Sequence, residues 1–292
     1  MSDIKVSALN MVVGRGREAN LPTIRDAIRQ ARDDNCDVLV LPEVCLQGYA
    51  DFAFPEDSPK RAEQKLFYGE QAETIPGPTT ELIQASLAGS QMLVQLGLAE
   101  STRHGNVIYN SVALITAEGV LGKYRKSHNL AEYPYFNQGD ELSVFDTPVG
   151  LVGSLICYDV CFPEAVRALA VQGADLILMS TAWPMGGHDR ASDFYGARMD
   201  MCIRANAFFN QVWIVASNHC EKGVYTAGLD YYGGSQIVGP TGDPVAALED
   251  APGLVSHEGD FHDEVRRSRA RDFFGLNLLQ DHRPELYART AG

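Results

Sequence analysis

The chain has 292 residues, 45% of them hydrophobic and 21% charged, a composition that supplies a substantial core and excludes an intrinsically disordered chain. Its formal charge of −14 works against nucleic acid or an anionic membrane surface as a partner, because both repel such a chain unless it concentrates a basic stripe. No run of about 18 apolar residues occurs, and Met1-Ser2-Asp3-Ile4-Lys5 lacks the basic-then-apolar pattern of a secretion signal, so a cytoplasmic protein with no membrane partner is expected.

Helical and strand signals alternate from the start, as an α/β layered fold requires. Residues 5–9 alternate like a strand. Ile24, Ala27, Ile28 and Ala31 then form the apolar stripe of a helix over about residues 21–34, and 38–41 is a buried strand. Further strands are predicted over 91–98, 107–115, 150–156, 211–217 and 235–238. Helices are predicted over 79–87, 164–171 and, at greater length, around 193–209. Residues 27–41 and 165–179 match in register without a gap: helix, turn, Asp, strand, written twice. That echo reports either two similar halves or the ordinary recurrence of such units in α/β chains. In both cases Glu43 and Ser180-Thr181-Ala182-Trp183 leave equivalent strand ends, where open α/β sheets gather ligands. No Gly/Ser linker interrupts the series, so one domain is expected over residues 1–270, with 271–292 as an extension.

The six cysteines (Cys36, Cys45, Cys157, Cys161, Cys202, Cys220) include no CxxC pair and are read as free thiols. Cys157 and Cys161 lack a second ligand pair, and His257, His262 and the His219-Cys220 pair are isolated, so neither a metal nor another cofactor is expected. The basic segment 266–271 reads as a solvated or subunit-contacting stretch.

Cys157 carries the most information. It ends the apolar run Gly153-Ser154-Leu155-Ile156 and is followed by the helix opener Phe162-Pro163-Glu164, a corner at which a thiol can act as a nucleophile. Glu43 ends the run Val38-Leu39-Val40-Leu41-Pro42, and Lys126 stands in Gly122-Lys123-Tyr124-Arg125-Lys126-Ser127-His128. A thiol, a carboxylate and an amine are the parts of an acyl-transfer site. The competing cysteine–histidine arrangement would need His128, two residues from Lys126.

The strings LPE at Glu43, GKYRKSH at Lys126 and CYDVCFPE at Cys157, in this order, resemble the three signatures of the nitrilase superfamily of carbon–nitrogen hydrolases. Tyr232-Gly233-Gly234-Ser235, Gly239-Pro240-Thr241-Gly242 and Arg283-Pro284-Glu285-Leu286-Tyr287 extend the similarity along nearly the whole chain. The resemblance implies a four-layer α-β-β-α sandwich that assembles into a homo-oligomer, with the C-terminal extension in oligomer contacts. It also implies Glu43 as general base, Lys126 as the cation beside the tetrahedral intermediate and Cys157 as nucleophile. Glu132 matches a second glutamate placed beside the substrate nitrogen, and His128 becomes a packing and hydrogen-bonding residue of the lysine loop. The Tyr158 backbone N–H, at the start of the following helix, would be a second oxyanion donor.

Relatives that convert nitriles carry Trp-Glu after the nucleophile, whereas this chain has Tyr158-Asp159, which resembles the amidase and carbamoylase branches. Branches that grip an α-carboxylate place an arginine two to four residues beyond the cysteine; Val160-Cys161-Phe162 stands there instead. The expected substrate is therefore a small neutral or cationic linear amide, with Tyr49, Tyr158 and Trp183 as pocket walls. An N-carbamoyl amine is the alternative substrate, and a catalytically silent scaffold is the alternative class. Where relatives carry Arg-Ala-x-Glu-Asn, this chain reads Asn206-Ala207-Phe208-Phe209-Asn210, a departure expected to bear on subunit contacts.

Overall fold

The computed structural model describes residues 3–49, 59–103, 107–130, 132, 135–187, 189–220, 222, 230–270 and 275–287. Its first half runs β1 (Ile4–Asn10), α1 (Arg17–Asp33), β2 (Val38–Val40), α2 (Pro59–Gln71), α3 (Pro78–Ser86), β3 (Leu93–Ser101), β4 (Ile108–Thr116) and β5 (Gly119–Arg125). The second half runs β6 (Val144–Thr147), β7 (Gly150–Ile156), α4 (Pro163–Val171), β8 (Leu176–Ser180), α5 (Ala197–Asn210), β9 (Trp213–Ser217), β10 (Gln236–Val238) and β11 (Pro244–Ala247). The chain then returns through β12 (Gly253–Gly259), α6 (Phe261–Arg269) and α7 (Pro284–Tyr287).

Two six-stranded sheets result, one ordered β12-β1-β2-β3-β4-β5 and the other β6-β7-β8-β9-β10-β11. The pairings correspond strand for strand. β1, β2 and β3 are mutually parallel, as are β7, β8 and β9, and the flanking pairs are antiparallel in both sheets. The doubled helix-turn-Asp-strand string thus maps onto α1–β2 in one sheet and α4–β8 in the other, which decides between the two readings of the echo in favour of similar halves.

Three apolar cores separate four layers. Leu39 and Leu41 point with Ile24, Ile28 and Ile83 into the core under α1 and α3, while Val38 and Val40 meet Leu176, Leu178, Trp213 and Val215 between the sheets. On the far side Ile177 and Met179 pack under α4 and α5 with Val166, Leu169 and Ile203. The alternation of side chains along a strand sends successive residues into different cores, so a strand buried on both faces reads as an unbroken apolar run. Each such side chain contributes about 1.5–3 kcal/mol on burial. The layering is the α-β-β-α sandwich.

Some boundaries differ from expectation. The long helix opens at Ala197 rather than near 193, because the Asp193 carboxylate accepts the N–H groups of Gly186 (2.9 Å) and Gly196 (2.7 Å) and holds a turn there. The strand predicted over 211–217 starts at Trp213 because Gln211 ends α5 in the left-handed conformation, φ 49°. Arg266 and Arg267 of the basic segment pair with Asp263 on α6, and Arg269 pairs with Asp175; Arg271 lies outside the described residues. No helix among the described residues is long and apolar enough to cross a membrane.

Candidate active site

The carboxyl ends of β2, β5, β7 and β8 meet at one place. Beyond β2, Glu43 is completely buried and clasped on every polar atom. Its N–H donates to Thr181 O (3.3 Å), its carbonyl accepts from His219 Nε2 (2.7 Å), Oε2 accepts from Ala182 N (2.9 Å), and Oε1 accepts from both Asn110 Nδ2 (2.6 Å) and Lys126 Nζ (2.6 Å). Glu43 and the residues following β8, predicted to leave equivalent strand ends, therefore bond directly to one another. Gly97 of β3 lies beneath this turn: a Cβ there would come within 2.1 Å of Pro42 O and 3.0 Å of Glu43 Cα. The close backbone approach explains the glycine.

Lys126 follows β5 and is 1% exposed. Its Nζ bridges Glu43 Oε1 and Glu132 Oε1, each at 2.6 Å. Burial opposes its charge, but the Glu43 carboxylate, with the Cys157 sulfur and Asp159 adding to it, more than compensates and holds the ammonium above its usual range. Glu132 is the reverse case. Burial, then the charges of Glu43 and Asp159, push its carboxyl well above the usual carboxylate range, and Oε2 has no hydrogen-bond partner among the described residues. Asn110 serves two residues at once, since its side chain holds Glu43 while its carbonyl accepts from Lys126 N (2.8 Å).

Cys157 follows β7 in the left-handed conformation, φ 46°, and keeps 7% of its surface exposed. Such a backbone is rare for a non-glycine residue and accompanies functional strain. Burial raises the thiol's pKa, with the Glu43 charge adding to it and Lys126 opposing. The residue after Cys157 does not begin the α-helix, contrary to expectation. A 3₁₀ turn over Cys157–Cys161 intervenes and α4 opens at Pro163, so the Tyr158 N–H belongs to that tighter turn.

Of the residues predicted as walls, Tyr49 places its ring centroid 5.9 Å from Lys126 Nζ and edge-on to His219. Trp183, next to Ala182, donates its indole N–H to Tyr195 O (3.1 Å) and shares an apolar cluster with Cys157. Tyr158 turns edge-on to Phe162, at 5.1 Å. His128 stacks on Phe162 at 3.9 Å and bonds Asp159, as a packing residue of the lysine loop would. Sequence reasoning missed Asn110, His219 and Asp159; the signal for the first was a polar residue inside the apolar run of β4.

A sandwich of this kind with thiol, ammonium and carboxylates gathered at its strand ends defines a class of acyl-transferring hydrolases. The carbon–nitrogen hydrolase family model matches residues 7–264, and the chain belongs to that family, within the nitrilase superfamily, as a carbon–nitrogen hydrolase enzyme. Among its relatives, the N-carbamoylputrescine amidase of Solanum lycopersicum is 31% identical, the alignment covering 97% of this chain and 93% of the relative. The citrullinase of Francisella tularensis is 30% identical with 98% of each covered. An amidase from Nesterenkonia sp. superposes with a TM-score of 0.76 at 25% identity, covering 99% of this chain and 97% of that one.

Proposed function

We propose that the protein hydrolyses a small linear carboxamide to the carboxylic acid and ammonia through a thioester on Cys157. The observation that carries this reading is the Lys126 Nζ held at 2.6 Å from a carboxyl oxygen of each of two buried glutamates, with the buried Cys157 thiol at the end of a neighbouring strand. As the sulfur attacks the carbonyl carbon, its proton passes to Glu43, and the carbonyl oxygen gathers negative charge against Lys126 and the Tyr158 N–H. The tetrahedral intermediate collapses as the C–N bond breaks and Glu43 returns the proton to the departing nitrogen. Water, deprotonated by Glu43, then cleaves the thioester and frees the acid and the thiol. Glu132, bonded through Oε1 to Lys126 and with an Oε2 that has no hydrogen-bond partner among the described residues, supplies a polar contact for the amide nitrogen. Tyr49, Tyr158 and Trp183 form the apolar walls, and the apolar Val160 and Phe162 in place of an arginine favour substrates without an α-carboxylate.

A second reading, hydrolysis of an N-carbamoyl amine to amine, carbon dioxide and ammonia, is favoured by the names of the tomato and Francisella relatives, aligned over 97% and 98% of this chain. Both substrates present the same H₂N–C(=O) end, so one experiment separates them. Purified protein is expected to release ammonia from small amides and to yield hydroxamate when hydroxylamine traps the thioester, with Cys157→Ala inactive. Labelled carbon dioxide from a carbonyl-labelled ureido substrate at a higher kcat/KM than any amide assigns the second reading. Absence of ammonia from both sets overturns hydrolysis altogether.

A further inference from the structure

Asp159 is fully buried two residues beyond the sulfur, and both its oxygens are doubly bonded. Oδ2 accepts from the Ile156 N–H (2.9 Å) and the Tyr124 hydroxyl (2.8 Å), and Oδ1 from the His128 N–H (3.0 Å) and His128 Nδ1 (2.8 Å). Ile156 is the last residue of β7, immediately before Cys157. Tyr124 and His128 flank Lys126, two residues to either side. One carboxylate thus ties the corner carrying the thiol to the loop carrying the ammonium, and the His128 ring stacked on Phe162 at 3.9 Å closes the same seam from outside.

We propose that Asp159 is a positioning residue for the hydrolysis: by clamping the lysine loop to the nucleophile corner, it sets where the Lys126 ammonium stands relative to the Cys157 sulfur. The inference rests on the catalytic roles given above to those two residues.

The chemistry of the clamp demands a carboxylate. Each Asp159 oxygen faces a backbone N–H, which can only donate, so the side chain must accept on both atoms. An asparagine turned either way sets its NH₂ against one of those backbone N–H groups and opens that side of the clamp. The charge matters as well. Asp159 is among the groups that hold Lys126 as an ammonium and push Glu132 up, the others being Glu43 for both and Cys157 for Lys126; Tyr124, His128, Cys161 and these residues are the titratable groups around it among the described residues.

The test compares Asp159→Asn with Tyr124→Phe, which removes one bond and keeps the charge. A misplacement of about 1 Å costs on the order of 100-fold in rate, so Asp159→Asn is expected to lose about 100-fold in kcat with KM changed by no more than about threefold. Tyr124→Phe is expected to lose about tenfold or less. The pH dependence of Cys157 alkylation by iodoacetamide, read by peptide mass, separates positioning from mere stability: with the Lys126 ammonium, which opposes the rise of the thiol, no longer held in place, the alkaline limb moves to higher pH in Asp159→Asn and stays in place in Tyr124→Phe. A folded Asp159→Asn enzyme with wild-type kcat, or an unmoved alkylation profile, overturns the proposal. Should Asp159→Asn fail to fold, the Tyr124→Phe/His128→Ala pair removes both side-chain bonds of the clamp while the Ile156 and His128 backbone N–H bonds stay, and wild-type kcat with an unmoved alkylation profile in that variant overturns it equally. Wild-type protein that releases no ammonia defeats the proposed reaction alone, since the alkylation profiles still decide whether Asp159 places the sulfur and the amine.

Discussion

Two carboxylates contend for one ammonium at the centre of this site. Lys126 Nζ lies 2.6 Å from Glu43 and from Glu132, with all three side chains essentially excluded from water. Burial and the charges of Glu43 and Asp159 hold the Glu132 carboxyl well above the usual carboxylate range, which favours its neutral form beside the Lys126–Glu43 pair. A carboxyl raised in the folded state stabilises the fold below its usual titration range, and this contribution is lost as pH rises toward the raised value. Glu132→Gln, with its carbonyl toward Lys126 and its NH₂ where Oε2 has no partner, cannot ionise. Thermal melts of this variant are therefore expected to decline less than those of the wild type as pH rises above the usual carboxylate range. Lys126→Met removes the one cation and leaves Glu43 uncompensated, at a cost of about 3–5 kcal/mol in denaturant titrations at pH 7. Glu43→Gln is expected to move two quantities in opposite directions. Loss of the base lowers amide turnover by about 10²–10⁴-fold, while loss of the charge that raises the Cys157 thiol speeds its alkylation at pH 8. If turnover and alkylation fall together, Glu43 does not act on the sulfur as described.

Elements carry the site as much as residues do. The turn after β2 rests on Gly97 of β3, where a methyl group would press on the backbone of Pro42 and Glu43. Gly97→Ala is therefore expected to cost about 1–3 kcal/mol through overpacking and about 100-fold in kcat through displacement of Glu43. Gly69→Ala, at a helical position of α2 with nothing within 4 Å of the added Cβ, is expected to stabilise by about 0.5–1 kcal/mol and to leave kcat unchanged. The same physics decides what could be read from the chain. β2, β8 and the part of β7 from Val152 onward were legible because both faces are buried, and the runs Val38-Leu39-Val40 and Leu176-Ile177-Leu178-Met179 admit no polar residue. β5 was not, because its residues are mostly half-exposed and its sequence GVLGKYR looks like a basic loop, yet it delivers Lys126. α2 escaped notice because only Gln64 and Tyr68 are buried along it, which leaves no apolar stripe. Asp159 and Asn110 illustrate a deeper limit. Each is recognisable as a polar residue in or beside an apolar strand, but the partners that tie it into the site include ones 31, 35 and 67 residues away, and only the folded sheets bring them together.

At the scale of the whole molecule, the two sheets are equivalent in order but their outer surfaces are not. The helical layer over β7–β9 presents Val171 (64% exposed), Phe194 (68%), Met201 (61%) and Phe209 (48%) to solvent, large apolar side chains on α4, on α5 and on the turn before it. The segment after α6 folds back on this side, with Arg167 Nη1 donating to Leu278 O (3.2 Å) and Leu278 N to Gln211 Oε1 (2.8 Å). A set of large exposed apolar side chains marks an interaction surface, and we expect it to pair copies of this chain, with residues 275–287 at the margin of the contact. Each copy carries a formal charge of −14, so association brings like charges together while burying apolar area. Salt screens the first term and leaves the second in place, with a Debye length that falls from about 10 Å at 0.1 M to about 3 Å at 1 M. The dimer dissociation constant from sedimentation is therefore expected to fall as sodium chloride is raised, the opposite of an interface built on ion pairs. Met201→Glu combined with Phe209→Glu is expected to hold the chain as a monomer at micromolar concentration, with its melting transition within a few degrees of the wild type because neither side chain contributes to a core. A double variant that sediments as the wild type does, or association that weakens with salt, places the contact on another face.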